Sequence, residues 1–191
     1  MISPAKLNFG LKVLYKRPDG YHELNSIFLR TKWGDEISFE VESRGKFILI
    51  SVNNLPEEKK SLYDAVSEKG DIKKNILYKT FKAFEKICPK TNGIKVRIVK
   101  NIPPGGGLGG GSSNAAILLN FLSKECNFDN PTALNSTALT IGADVPFFLQ
   151  EKHSFVSGIG ENLRDIVIAD GIGILAIPPY SINTKEAYSY L

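Results

Sequence analysis

Cysteine is scarce: Cys88 and Cys126 are the only two in 191 residues, and they lie far apart with no CxxC pair. A disulfide framework and a cysteine-bound zinc site are therefore not expected, and a reducing compartment is. Histidine is equally rare, with His22 and His153 alone, so no metal-ligating side-chain set is predicted. Neither sign of charge dominates. Twenty-four Lys and Arg stand against 20 Asp and Glu, a net charge of +4. The basic pairs Lys59–Lys60 and Lys73–Lys74 have acidic neighbours, so no stripe of the nucleic-acid-binding kind develops. A mild positive balance suits a small anionic ligand such as a phosphate. Apolar runs are short, around 115–122 and 171–179 at their richest, against the roughly 18 residues of a membrane span. The start, MISPAKLNFG, has no apolar core and carries Lys6, so no signal peptide is read there. A cytoplasmic protein is expected, with no nucleic-acid and no membrane partner.

What is present has ordinary globular proportions: 42% hydrophobic, 10% aromatic and 23% charged residues. Disordered, collagen-like and coiled-coil classes are excluded. The length suits one domain, or one and part of another, with enough chain for a core without staples. Partial alternation over 5–14 reads as a half-buried strand. Pro18, Asp19 and Gly20 then mark a tight reversal. HELNSIFLRT, DEISFEV and KFILISV read as three further strands, the last two separated by ESRG. Residues 53–73 are polar and aperiodic, as in a surface loop. Ile76, Leu77, Phe81, Phe84 and Ile87 keep helical spacing in a helix from Lys74 to Ile87, which Pro89 closes. GIKVRIVKNI alternates as a strand, AAILLNFL is a good helix former, and Pro131 opens a short helix toward Ile141. HSFVSG and GIGILAIPP read as strands, and Thr184, Lys185 and Glu186 start a last helix. With four strand candidates in a row at the start, the class is α+β rather than a doubly wound parallel sheet.

Six of the seven residues from Gly105 to Gly111 are glycine, Leu108 being the exception. Glycine gives up the most backbone freedom on ordering, and its concentration between a strand and a helix makes sense where backbone must approach a ligand. Ser112, Ser113 and Asn114 stand where a helix N-cap is expected, and helix N-termini present free N–H groups and a positive dipole end. Together these features describe a phosphate cradle; the competing reading is a flexible linker. Three common cradles do not fit. The Walker A loop ends in Gly-Lys-Ser/Thr, whereas Gly111 is followed by serine. The GxGxxG match at Gly105, Gly107 and Gly110 lacks the third strand with its acidic ribose clamp. A protein-kinase loop would be followed by a strand bearing a VAIK-like lysine, which is absent.

The run Pro103-Pro104-Gly105-Gly106-Gly107-Leu108-Gly109-Gly110-Gly111-Ser112-Ser113-Asn114-Ala115-Ala116 resembles the phosphate loop of the GHMP kinases, a superfamily of small-molecule kinases. Three further blocks agree with it in order and spacing: SPAKLN (Ser3–Asn8), RPDGYHEL (Arg17–Leu24) and GADVPFFL (Gly142–Leu149). SGIGE (Ser157–Glu161) adds support. The resemblance runs from residue 3 to about residue 188. It is strongest to the branch whose alcohol substrate is a cytidine diphosphate-linked methylerythritol, phosphorylated on its 2-hydroxyl in non-mevalonate isoprenoid precursor synthesis.

The resemblance implies an α+β fold: a ribosomal protein S5 domain 2-like N-terminal domain over residues 1–170, followed at 171–191 by the start of a C-terminal α+β domain. Family members usually continue for roughly another hundred residues, about one small domain, so most of that second domain is expected to be absent. The resemblance assigns Asp144 as general base and Lys6 as its partner. On residue type alone, Asp144 could equally be a turn or cap residue, and Lys6 a surface lysine. Pro103 to Ser113 would hold the phosphates of ATP, delivered with magnesium, while Lys100 and Asn75 would line the adenosine pocket. Tyr21 and His22 would read the cytosine together with Tyr188, and Asn8 and Thr184 would contact the substrate's polyol or phosphate. Other readings stay open: a dinucleotide-binding oxidoreductase using the GxGxxG match, a non-catalytic nucleotide-binding regulator, or a sibling kinase acting on mevalonate or homoserine.

Overall fold

A computed structural model describes residues 1–59 and 71–178. It opens with a long hairpin, β1 (Ile2–Lys16) and β2 (His22–Glu42), paired antiparallel along its whole length. The reversal between them falls on the predicted turn. Arg17 N–H donates to the Tyr21 carbonyl at 2.7 Å, and Asp19 Oδ1 accepts from Tyr21 N–H at 3.1 Å. Gly20 supplies the positive φ of +86° that closes it.

The two strands expected at 22–31 and 35–41 are one. The inward alternation breaks at Leu29–Trp33 and resumes on the other parity, from Leu24, Ser26 and Phe28 to Asp35 and Ile37, and a bulge keeps the strand continuous across the break. Between the pairs Pro4↔Gly34 and Lys6↔Arg30, β2 uses more residues than β1. Gly34 allows the strands to close again, since a Cβ there would fall 2.0 Å from the Ser3 carbonyl oxygen. Along its other edge β2 pairs with two strands in turn. Residues Leu24–Phe28 run antiparallel to β5 (His153–Gly158), and Glu36–Glu42 run antiparallel to β4 (Gly93–Lys100). β3 (Phe47–Asn53) lies parallel to β4, and β6 (Asn162–Ile166) extends the sheet beyond β5. The order is β3-β4-β2-β5-β6, with β1 paired to β2. A parallel pair needs a crossover, and the segment carrying helix α1 (Ile76–Ile87) supplies it.

α1 joins α2 (Gly110–Glu125), α3 (Pro131–Ile141) and α4 (Val145–Leu149) against the sheet. The core is where their apolar stripes meet the inward residues of β4. Phe81 and Phe84 of α1, Leu118 and Leu119 of α2, Phe147 of α4 and Val96 of β4 are all fully enclosed. Lys95, between two inward residues of β4, pairs with Glu40 at 2.9 Å at the surface. This is the α+β class expected from the run of strands. α3 begins as predicted: Pro131 occupies the first turn, and Asn130 caps it by accepting from Ala133 N–H at 3.0 Å.

Two further expectations need correction, and two short elements come in addition. α2 starts inside the glycine run, with Gly109 rather than Ser112–Asn114 at the cap position, because a helical turn tolerates glycine where no side chain fits. α4 and β6 were not foreseen, since each has only 5 residues, too few to display a repeating pattern. Residues 171–178 of the expected strand GIGILAIPP carry no regular structure, and Ile172 and Ile174 are wholly exposed, because no strand among the described residues pairs with them. The expected helix from Thr184 lies outside the described residues. No helix among the described residues is long and apolar enough to cross a membrane.

Candidate active site

The glycine-rich segment joins the end of β4 to the first turn of α2. Gly105, Gly107 and Gly109 have φ of +76°, +69° and +69°, alternating with residues of ordinary hand. Such alternation turns successive backbone N–H groups toward one side, a concavity that suits anions. At the foot of α2 the cap residue Gly109 makes no side-chain hydrogen bond to the first turn, so no side chain competes for those N–H groups. Leu108 fixes the segment from below. Its side chain is buried with Ala5 and Ile102, and its carbonyl accepts from Lys6 N–H at 2.9 Å. Above the loop opens a cavity of about 520 Å³, lined by Pro103 to Ser112 and by residues of β3, β4 and α1.

Gly109 is glycine for two structural reasons, its φ and its neighbours: a Cβ there would lie 2.9 Å from Phe148 Cε2 and 3.2 Å from Lys6 Cγ. Gly111 has neither constraint. Its φ is ordinary, and a Cβ would meet nothing nearer than Ile76 at 3.8 Å. The fold leaves room at Gly111 for a side chain that the sequence does not put there, on the wall of the cavity.

Lys6 is not a surface lysine; it is only 4% exposed. Its Nζ donates to Asn8 Oδ1 at 2.8 Å, sits 4.0 Å above the centroid of the Phe28 ring, and lies 3.6 Å from Asp144 Oδ2. Lys6 and Asn8 alternate onto the same face of β1. Burial pulls the Lys6 pKa below its ordinary 10.5, and the Asp144 carboxylate opposes that pull without cancelling it. Asp144 stands at the cap position of α4 yet makes no capping hydrogen bond. Its side chain turns instead to Lys6 and stays one-third exposed. Ser112 Oγ, at the start of α2, is 3.8 Å from where a Cβ of Gly142 would stand. The Lys6–Asp144 pair and the cavity thus adjoin the same loop end.

The other expected residues divide. Asn75 and Lys100 both line the cavity. Asn75 Oδ1 caps α1 by accepting from Leu77 N–H at 2.9 Å, and the Lys100 ammonium is paired with the buried Asp35. Asn8 joins Lys6. Tyr21, 60% exposed, and the half-buried His22 stand at the far end of the β1–β2 ladder from the Lys6–Arg30 pairing. Thr184 and Tyr188 lie outside the described residues. Among those described, no three His, Cys, Asp or Glu side chains form a metal-holding group.

Two features escaped sequence reasoning. Asp35, fully buried, binds both sides of the glycine-rich loop. Arg17 joins two blocks that looked independent: its guanidinium reaches Asp19 at 2.9 Å, Glu23 at 3.2 Å and Glu161 at 3.7 Å. Glu23 Oε1 in turn accepts from Gly158 N–H at 2.9 Å, so the hairpin end and the 157–161 turn are one assembly. The alternating acid and base of RPDGYHEL was a faint signal for the second; nothing local marked the first.

A strand-rich α+β fold, a glycine nest opening a helix, and a buried lysine facing an aspartate beside it characterise the site. Residues 75–152 match the family described as "GHMP kinases N terminal domain". The whole chain is similar to proteins named 4-diphosphocytidyl-2-C-methyl-D-erythritol kinase. It is 53% identical to that of Leptospira interrogans over 191 residues, 100% of this chain and 64% of the relative. It is 45% identical to that of Leptospira biflexa over 100% of this chain and 63% of the relative. A crystal structure of 4-(cytidine 5'-diphospho)-2C-methyl-D-erythritol kinase superposes with a TM-score of 0.71 at 32% identity, covering 88% of this chain and 55% of that one. Homoserine kinase from Cytophaga hutchinsonii, at 16% identity and a TM-score of 0.56 over 99% of this chain and 60% of that one, shares the fold. The chain spans less than two thirds of the length of these relatives.

Proposed function

We propose that this chain carries the ATP-binding and catalytic residues of a kinase acting on 4-diphosphocytidyl-2-C-methyl-D-erythritol, a step of non-mevalonate isoprenoid precursor synthesis. The observation that carries the reading is the buried Lys6 ammonium 3.6 Å from Asp144, at the foot of the glycine nest. Phosphoryl transfer asks mainly for positioned phosphates, neutralised charge and an activated hydroxyl. The substrate's 2-hydroxyl oxygen attacks the γ-phosphorus, its proton passes to the Asp144 carboxylate, and the bond to the β–γ bridging oxygen breaks to release ADP. Lys6, facing Asp144, stabilises negative charge on the transferring group. The N–H groups of the loop and of the first turn of α2 hold the phosphates.

Asn75 and Lys100 line the adenosine side. Asn8 meets the polyol, and Tyr21 and His22 take the cytosine, whose stacking on an aromatic ring is typically worth about 1–3 kcal/mol. Magnesium accompanies ATP. The donors near the loop, the Ser112 hydroxyl and the Asp144 carboxylate, form no cage by themselves and fit an ion held mainly by nucleotide phosphates, where it would screen their charge.

The test is ADP release by this chain with magnesium-ATP and 4-diphosphocytidyl-2-C-methyl-D-erythritol, with Asp144→Asn beside it. Loss of a proton acceptor should lower turnover by about 10²–10⁴-fold. Undiminished turnover in Asp144→Asn would remove the base from the mechanism. Nucleotide binding without turnover in the unaltered chain would limit it to a binding unit.

A further inference from the structure

We propose that Asp35 is the positioning residue of the nucleotide site: one buried carboxylate that clamps both feet of the glycine-rich loop. The inference rests on reading that loop as the phosphate cradle. Asp35 lies in β2 opposite Ser3 and is wholly enclosed. Its Oδ1 accepts the backbone N–H groups of Asn101 and Ile102, each at 2.8 Å, where the chain leaves β4 to enter the loop. Its Oδ2 accepts from Asn114 Nδ2 at 2.9 Å, one turn into α2, where the chain leaves the loop, and it pairs with the Lys100 ammonium. Asn101 strengthens the entry side, its Nδ2 donating to the Gly34 carbonyl at 2.9 Å.

A loop made mostly of glycine is the costliest kind to hold in one shape. A nest binds an anion well only if its N–H groups already converge, since ordering them on binding would weaken affinity. The clamp does this from outside the loop, fixing residues 101–102 and 114 to one point on a rigid central strand. It also takes up part of the Lys100 ammonium, holding that side chain at the cavity wall. The competing account is a buried acid that merely satisfies nearby donors. The two differ in what moves when the clamp is loosened.

Asp35→Asn keeps the size and leaves one oxygen for the two backbone N–H groups, but turns an amide N–H₂ toward Asn114 and Lys100, both donors. Binding of ADP is measured by calorimetry on this chain and its variants, well below each melting temperature. Asp35→Asn should weaken ADP about tenfold or more, the loss expected when charge-assisted hydrogen bonds are removed. In turnover assays the KM for ATP should rise in step, with the KM for the alcohol substrate unchanged. Asn114→Ala, which removes only the exit side, should weaken ADP by less. The double variant should bind no worse than Asp35→Asn, because both act through one contact. Equal ADP affinity in the unaltered chain and both single variants, or fully additive losses, would overturn the clamp while leaving the kinase reading intact. Absence of ADP binding in the unaltered chain would overturn the cradle and the clamp together. Should Asp35→Asn fail to fold, Asn114→Ala alone decides: unchanged ADP affinity would sink the proposal.

Discussion

Lys6 shows how much one position can ask of its surroundings. Its ammonium is removed from water but receives an amide oxygen, a ring face and a carboxylate. Burial wins, and the pKa lies below its ordinary 10.5. The unfolded chain therefore binds more protons than the native one between the lowered value and 10.5, so this residue's contribution to stability rises with pH across that window. In chemical denaturation from neutral pH upward, the stability difference between the chain and Lys6→Met should move in favour of the unaltered chain. A difference that stays flat would mean that Lys6 titrates like an exposed lysine. Two glycines two positions apart, Gly109 and Gly111, make a second contrast at this scale. Gly109→Ala places a methyl at positive φ against Phe148 and should cost at least about 1 kcal/mol in a thermal melt. Gly111→Ala meets no clash and adds helix propensity, so its melting temperature should hold or rise while ADP affinity falls. Equal ADP affinity in Gly111→Ala would show that the phosphates do not approach there.

At the scale of elements, α1 illustrates a cap with two uses. Its helical spacing was readable from Ile76 to Ile87, and its start is fixed by Asn75, whose Oδ1 accepts from Leu77 N–H at 2.9 Å. The cap uses the amide oxygen and not its N–H₂, and the residue also lines the cavity. Asn75→Asp retains a strong N-cap and an acidic group at the positive helix end, so stability should persist, but the donor is gone and ADP should bind more weakly. Asn75→Ala should lose both, with about 1 kcal/mol from the missing cap. Calorimetry and thermal melts on the pair separate the two uses; parallel losses in both variants would deny a separate ligand contact. β2 shows the converse. Its two halves each looked like a strand of ordinary length, and the bulge that joins them was invisible because it depends on the partner strand's register.

Across the whole molecule, distant blocks meet at two places. Lys6 meets Asp144 beside the loop, and Arg17 ties the hairpin end to the 157–161 turn through Glu23 and Glu161. If that second assembly orients Tyr21 and His22 for the cytosine, Arg17→Met should raise the KM for the alcohol substrate several-fold and leave the KM for ATP alone. A KM for the alcohol that does not move would make the assembly purely structural. The sequence by itself determined the α+β class, the hairpin turn, α1, α3 and the glycine nest, because each is set by local periodicity, caps and backbone permissiveness. It also held the family resemblance that singled out Lys6 and Asp144. Only the tertiary structure decided that Asp144 leaves its capping role for Lys6, that Lys6 is buried, that 22–42 is one strand, and that Asp35 reaches both ends of the loop. The Lys6 and Asp35 contacts join residues from 65 to 138 positions apart, the strand depends on its partner's register, and no local pattern encodes which distant donor a side chain will find.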